Sequence, residues 1–176
     1  MVSVAIRRAV VADLPALRVL YRQLDDVHGE AEPDIVPMHD QAPRAVSDIE
    51  EQIANDIVLV AVGMDDDEAG AVVGFARIKV IDLGQYFMFP QVPEVEDLSV
   101  LEEYRGLGVG KRLMRAAEDW AAEAGYAELW VSAWTFNEPA AGLYRHQGFV
   151  PLSTRFRKRL IPESAPKRSP EPETVA

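Results

Sequence analysis

Along the chain the spacing of hydrophobic positions changes several times, and each change marks an element. Val2-Ser3-Val4-Ala5-Ile6-Arg7 alternates apolar with polar and predicts a strand. Leu14, Leu17, Leu20, Tyr21 and Leu24 then recur at helical spacing, behind Asp13 as an expected N-cap and Pro15 in the first turn. Residues 25–43 break the pattern with three prolines, two histidines and six acidic residues, and read as a loop. Helical spacing returns over residues 44–55, where Ser47 and Glu50 match a capping box. Residues 57–62 form a continuous apolar run, 65–70 a polar turn, and 71–80 the second arm of a hairpin. Residues 83–90, LGQYFMFP, are aromatic-rich and read as a structured loop or a short strand extension.

The stretch 95–111, VEDLSVLEEYRGLGVGK, is the one around which the chain is organised. Val95, Leu98 and Val100 make its first half strand-like. Gly106, Gly108 and Gly110 then lead into a helix whose apolar face is Val109, Leu113, Ala116, Ala117, Trp120 and Ala124, with Gly125 as its stop. A strand that feeds a glycine-rich turn and a helix start leaves main-chain N–H groups free to meet an anion, with Arg105 and Lys111 beside them. A nucleotide P-loop requires Ser or Thr after Gly-Lys, and here Arg112 comes next. A dinucleotide fingerprint requires a third glycine where Lys111 stands. What remains is R-x-x-G-x-G, from Arg105 to Gly110.

Beyond that helix, residues 127–134 are strongly β-prone, residues 137–146 read as a short helix, and residues 149–160 as a final strand or strand pair. Residues 1–160 are expected to form one domain and 161–176 a disordered tail, with four prolines among charged and small residues. The chain of 176 residues is 48% hydrophobic and 27% charged, which is a globular composition. It contains no cysteine, which removes disulfides, thiolate metal sites and a cysteine nucleophile. The net charge of −11 argues against nucleic acid as a partner and is compatible with a cationic substrate. No signal peptide or membrane span is visible, so a cytoplasmic protein without a membrane partner is expected. His28 and His39 lie among acidic residues but lack metal-ligand spacing, and no metal is expected. Neither GxSxG nor HExxH occurs.

The R-x-x-G-x-G turn resembles the pyrophosphate loop of the GNAT superfamily of acyl-CoA-dependent N-acyltransferases. The segment from Asn137 to Phe149, NEPAAGLYRHQGF, resembles that family's N-x-x-A-x-x-L-Y-x-x-x-G-F pattern at every fixed position. The opening IRRAVVADLPALRVLY is also similar to the way many members begin. The resemblance implies an α/β (α+β) fold: a mixed, twisted, mostly antiparallel sheet with a splayed central strand pair, flanked by about four helices. It implies acetyl-CoA as co-substrate in the opening. Main-chain groups of Leu98, Ser99 and Val100 would pair with the pantetheine arm. Gly106, Leu107, Gly108, Val109, Gly110 and Lys111 would hold the pyrophosphate beside Arg105, and Asn137 and Tyr144 would line the thioester end.

The chemistry then has few parts. A protonated amine cannot attack a thioester until it loses a proton, so a base or water relay is needed. Glu96 stands where some members carry that carboxylate. A regular strand would turn Asp97 to the opposite face, and a bulge would change this. Backbone N–H groups near Val100 would meet the oxyanion. Tyr144 holds the family's position for the general acid. The implied function is direct acetyl transfer to a primary amine in a ternary complex, with a small cationic amine as the expected acceptor. A peptide or lysine amine, and a non-catalytic acyl-CoA-binding module, are the alternatives. Apart from the family pattern, Tyr144 reads as packing beneath the last strand, Asn137 as a helix cap, Trp134 and Phe136 as core or pocket wall, and His146 as solvent-facing. Residues 25–43, Tyr86 to Phe89 and the final strands are expected to form the acceptor end. Exposed sheet edges make a homodimer the expected assembly.

Overall fold

The computed structural model describes residues 3–64 and 70–160. Five strands form one sheet in the order β1-β2-β3-β4-β5: β1 Val4–Arg8, β2 Ile57–Gly63, β3 Val72–Asp82, β4 Gln91–Val100 and β5 Trp130–Val131. The first four pair antiparallel, and β5 runs parallel to β4. Four α-helices flank the sheet: α1 Leu14–Ala31, α2 Val46–Asn55, α3 Val109–Glu123 and α4 Glu138–His146. The fold is therefore the expected mixed α/β class.

Burial explains why β2 reads as an unbroken apolar run. Val58, Val60 and Val62 join Leu17, Leu20, Tyr21, Ile49 and Phe75 in one core cluster. Leu59 and Ala61 join Leu113, Met114, Ala117 and Tyr144 in the other. Both faces of the sheet are covered, by α1 and α2 on one side and by α3 and α4 on the other, so neither alternate set of β2 is polar.

Several expectations are corrected. Helix α1 continues to Ala31, because Tyr21, Asp25 and Gly29 prolong its buried stripe one turn at a time. Asp25 is buried there with Arg44 bound to both of its oxygens, at 2.7 and 2.9 Å. Asp13 does precede α1, but its carboxylate faces the other way, toward Arg7 and the Val10 N–H at 2.8 Å. Ser47 and Glu50 form no capping box, since α2 starts two residues earlier, at Val46 behind Ala45. The β-prone stretch 127–134 yields only the two strand residues of β5. Residues 150–160 form no strand and are exposed. The loop 83–90 is closed by Leu83 N–H on Pro90 O and forms no strand, leaving Tyr86 fully exposed. The expected tail, 161–176, and most of the polar turn lie outside the described residues.

Candidate active site

The site is set by where β4 loses its neighbour. β5 meets β4 only at Glu94 with Trp130 and Val95 with Val131. From Glu96 to Val100 that edge of β4 has no strand beside it among the described residues. Leu101 N–H bonds Val73 O on β3 at 3.0 Å, so strand alternation turns the main-chain groups of Ser99 toward β3 and those of Leu98 and Val100 away from it. The Ser99 hydroxyl is buried on Leu20 O at 3.2 Å. The Val100 carbonyl accepts Gln23 Nε2 at 2.9 Å and Arg105 Nε at 3.2 Å. Of the three residues expected to present main chain to an extended ligand, Leu98 has the most open groups.

A short 3₁₀ turn, Glu102–Tyr104, links β4 to the glycine turn. Gly106 and Gly108 have φ of +72° and +89°, values an L side chain rarely adopts, and nothing lies within 4 Å of where a Cβ would sit. Gly108 is the N-cap of α3, which begins at Val109. The first N–H groups of that helix, from Val109 to Lys111, therefore lie beside open space, flanked by Leu107, Arg105 and Lys111, all exposed. This is an arrangement that fits a phosphate: oriented N–H donors, a helix N-terminus and two cationic side chains. Gly110 lies against Leu143 of α4, where a Cβ would meet Cδ2 at 3.4 Å.

Helix α4 is fixed at both ends by its own sequence. Asn137 caps it, accepting Ala140 N–H at 3.1 Å. Gly148 takes φ +90° and Phe149 N–H returns to Tyr144 O at 3.0 Å, a Schellman stop that accounts for the Gly-Phe pair. Phe149 packs on Tyr144 at 6.0 Å between ring centroids. Tyr144 is buried in the same core cluster as Val95 and Val109. Burial pushes its phenol up to about 12, so the hydroxyl keeps its proton at neutral pH.

Glu96 has a different setting from the one alternation predicts. The β3–β4 register shifts between Arg77 and Ile78: Arg77 faces Asp97 while Ile78 faces Val95. Glu96 is the extra residue of a bulge. Arg77 consequently binds Glu96 Oε2 at 2.5 Å, Asp97 Oδ2 at 2.6 Å and Asp56 Oδ2 at 2.9 Å. Glu96 and Asp97 thus share one guanidinium instead of pointing apart. Burial by itself would lower the pKa of Arg77, but the Asp97 and Asp56 carboxylates outweigh it and the charge is held. Asp97 is buried, and the Tyr21 hydroxyl lies 3.4 Å from it and 2.8 Å from Gln52 Oε1. The Arg44 guanidinium sits over the Tyr21 ring at 4.4 Å.

The structure brings Tyr144 and the glycine turn to the face covered by α3 and α4, and Asp97 and Ser99 to the face covered by α1. It also assembles residues that the sequence did not mark. His28, on α1, packs against Trp134 at 5.9 Å and Phe136 at 5.7 Å, joining the end of α1 to the loop before α4. Arg77 and Gln23 carried no motif; only the Tyr21, Asp25, Gly29 spacing hinted that α1 ran further. Tyr86 to Phe89, expected at the acceptor end, touch none of these groups through a ring contact or hydrogen bond. Among the described residues no cluster of His, Asp and Glu is arranged to hold a metal. No described helix is long and apolar enough to cross a membrane.

A strand that parts from its neighbour just before a glycine turn and a helix N-terminus is the arrangement that the resemblance to the acetyltransferases implied. The acetyltransferase (GNAT) family matches residues 22–149, and the chain belongs to this family. A streptothricin acetyltransferase of Streptomyces lavendulae is 38% identical over 97 residues, 55% of this chain and 46% of that protein. The chain thus spans about half the length of that curated relative. Among solved structures, a tetramutant of BH1408 protein from Bacillus halodurans superposes with a TM-score of 0.77 at 22% identity, over 89% of this chain and 99% of its own. Aminoglycoside N-acetyltransferase AAC(6')-Iy in complex with CoA gives 0.68 at 22% identity, over 90% and 95%. An aminoglycoside acetyltransferase from an uncultured soil metagenomic sample, in complex with sisomicin, gives 0.64 at 20%, over 90% and 97%. These likenesses concern the fold.

Proposed function

We propose that this chain is an acetyl-CoA-dependent N-acetyltransferase that passes the acetyl group directly to a small cationic amine held in the same complex. The observation that carries the reading is the open edge of β4 from Glu96 to Val100, directly ahead of the glycine turn. An extended amide-bearing arm can hydrogen-bond there as an added strand. The N–H groups from Gly106 to Lys111, with Arg105, would hold the pyrophosphate, and Asn137 and Tyr144 would flank the thioester. The thioester supplies an activated acetyl group. Glu96 takes the ammonium proton, directly or through a water, with the oxygen that Arg77 does not engage. Backbone N–H groups near Val100 receive the developing oxyanion. Tyr144, un-ionised because it is buried, returns a proton to the departing thiolate. The relatives named for streptothricin and aminoglycosides favour an amine acceptor. The net charge of −11 favours a cationic one.

The test has two stages. Acetyl-CoA should raise the Tm of the wild type and not that of Gly108→Trp, since an indole there is strained at φ +89° and would fill the open space proposed for the pyrophosphate. Amines should then release CoA, and Tyr144→Phe should keep the thermal shift while lowering kcat about 100-fold. A thermal shift without CoA release on any amine would make the chain a binding module, and no shift at millimolar acetyl-CoA would end the reading.

A further inference from the structure

The Val100 carbonyl is one of the main-chain groups that strand alternation turns away from β3, toward the open edge of β4. It is already occupied. Gln23 Nε2 donates to it at 2.9 Å and Arg105 Nε at 3.2 Å, so both of its lone pairs are used within the chain. An extended ligand pairing along this edge meets Leu98 open and Val100 closed. One of the two side-chain donors has to leave before the carbonyl can accept an amide N–H from that ligand.

The two donors are held unequally. Gln23 projects from α1 and is half-buried, and its Nε2 also donates to the Ser99 hydroxyl at 3.2 Å. Both of its amide hydrogens are therefore spent on β4. Arg105 is exposed, and among the described residues it has this single hydrogen bond and no ion pair. It stands at an open cavity of about 320 Å³ between α1 and the 3₁₀ turn, so its guanidinium has room to turn away. The glycine turn begins at the next residue, Gly106, with φ +72°. A phosphate held there attracts a guanidinium more strongly than a neutral carbonyl does.

We infer that Arg105 makes the arm site conditional on the pyrophosphate, so that the chain accepts thioesters of complete CoA and discriminates against the same thioester on a bare pantetheine arm. With a pyrophosphate in the glycine turn, Arg105 moves to it and frees one lone pair of Val100 for the arm. Without one, Arg105 stays and the arm loses that bond. Gln23 is the positioning residue that remains on the carbonyl and fixes which lone pair is released. The two halves of the donor thus bind with positive coupling. This inference rests on the acetyl-CoA reading above.

Amide chemical-shift titrations of the wild type, Arg105→Ala and Gln23→Leu with CoA and with reduced pantetheine test it. The chain has no cysteine, so neither thiol can attach to it. Wild type should bind CoA far more tightly than pantetheine. Arg105→Ala should bind CoA about tenfold more weakly, having lost a charged phosphate contact, yet bind pantetheine about fivefold more tightly, because the Val100 carbonyl is half vacant. Gln23→Leu opens the other lone pair and should also bind pantetheine about fivefold more tightly; it carries the test should Arg105→Ala not fold. Unchanged pantetheine affinity in the variants means that Arg105 serves the phosphate alone and overturns the inference. Weaker binding of both ligands marks a structural role and overturns it too. In either case CoA binding by the wild type leaves the acetyl-CoA reading standing. A wild type that binds neither ligand overturns both.

Discussion

The two flanks of the sheet are built on different principles. Under α3 and α4 the contacts are apolar: Val109, Leu113, Met114 and Ala117 meet Leu59, Ala76, Ile78 and Val95. Under α1 and α2 an apolar layer of Leu17, Leu20, Tyr21, Ile49 and Phe75 is edged by charges, with Arg44 on Asp25 and Arg77 on Asp56, Glu96 and Asp97. Apolar packing is non-directional and tolerates small shifts. A guanidinium shared by three carboxylates fixes atoms at hydrogen-bond distance, and it fixes them at the bulge of β4. The flank that holds the glycine turn is thus a packed scaffold, while the flank facing α1 sets side-chain positions through ion pairs.

The sharpest way to break this contrast is Arg77→Met. It leaves Asp97 buried and unpaired and should cost about 3–5 kcal/mol in urea unfolding. Arg77→Lys should recover only part of this, because one ammonium cannot reach three carboxylates in the same geometry. On the opposite flank Leu113→Ala, at a fully buried position, should cost about 3 kcal/mol. That loss should be the same at low and high salt.

Asp13→Ala tests a charged contact away from the site. The Arg7 hydrogen bond holds the Asp13 pKa below its usual value, against burial and with help from the Val10 N–H. A depressed carboxylate contributes stability above its unfolded pKa and loses it as pH falls through the folded value. The substitution should therefore cost about 2 kcal/mol at pH 7 and progressively less below about pH 4. Asn137→Ala, which removes only the cap of α4, should cost about 1 kcal/mol. A pH profile of acetyl transfer adds a final distinction: with Tyr144 at about 12, no loss of general acid should appear below about pH 10.

Much of the apolar flank was legible because its signals are local. The glycine turn, the stop at Gly125 and the cap at Asn137 each depend on residues within about one helical turn. There the periodicity reads directly as geometry. The same local reasoning failed where a distant residue intervened. Asp25 looked like the start of a loop, and Arg44, nineteen positions on, keeps it inside α1. Residues 150–160 carry a strand's alternation, and a strand cannot form without a neighbour to pair with.

By itself the sequence determined the family, the number and kind of most elements, and the glycine turn that opens α3, because backbone dihedrals and hydrophobic period are properties of short segments. Only the tertiary structure decided that β4 and β5 part at Glu96, that a bulge gives Glu96 and Asp97 the same arginine, and that Gln23 reaches the Val100 carbonyl. Those outcomes join residues 19, 20 and 77 positions apart, and no local pattern encodes which charged side chain a folded chain will bring to another.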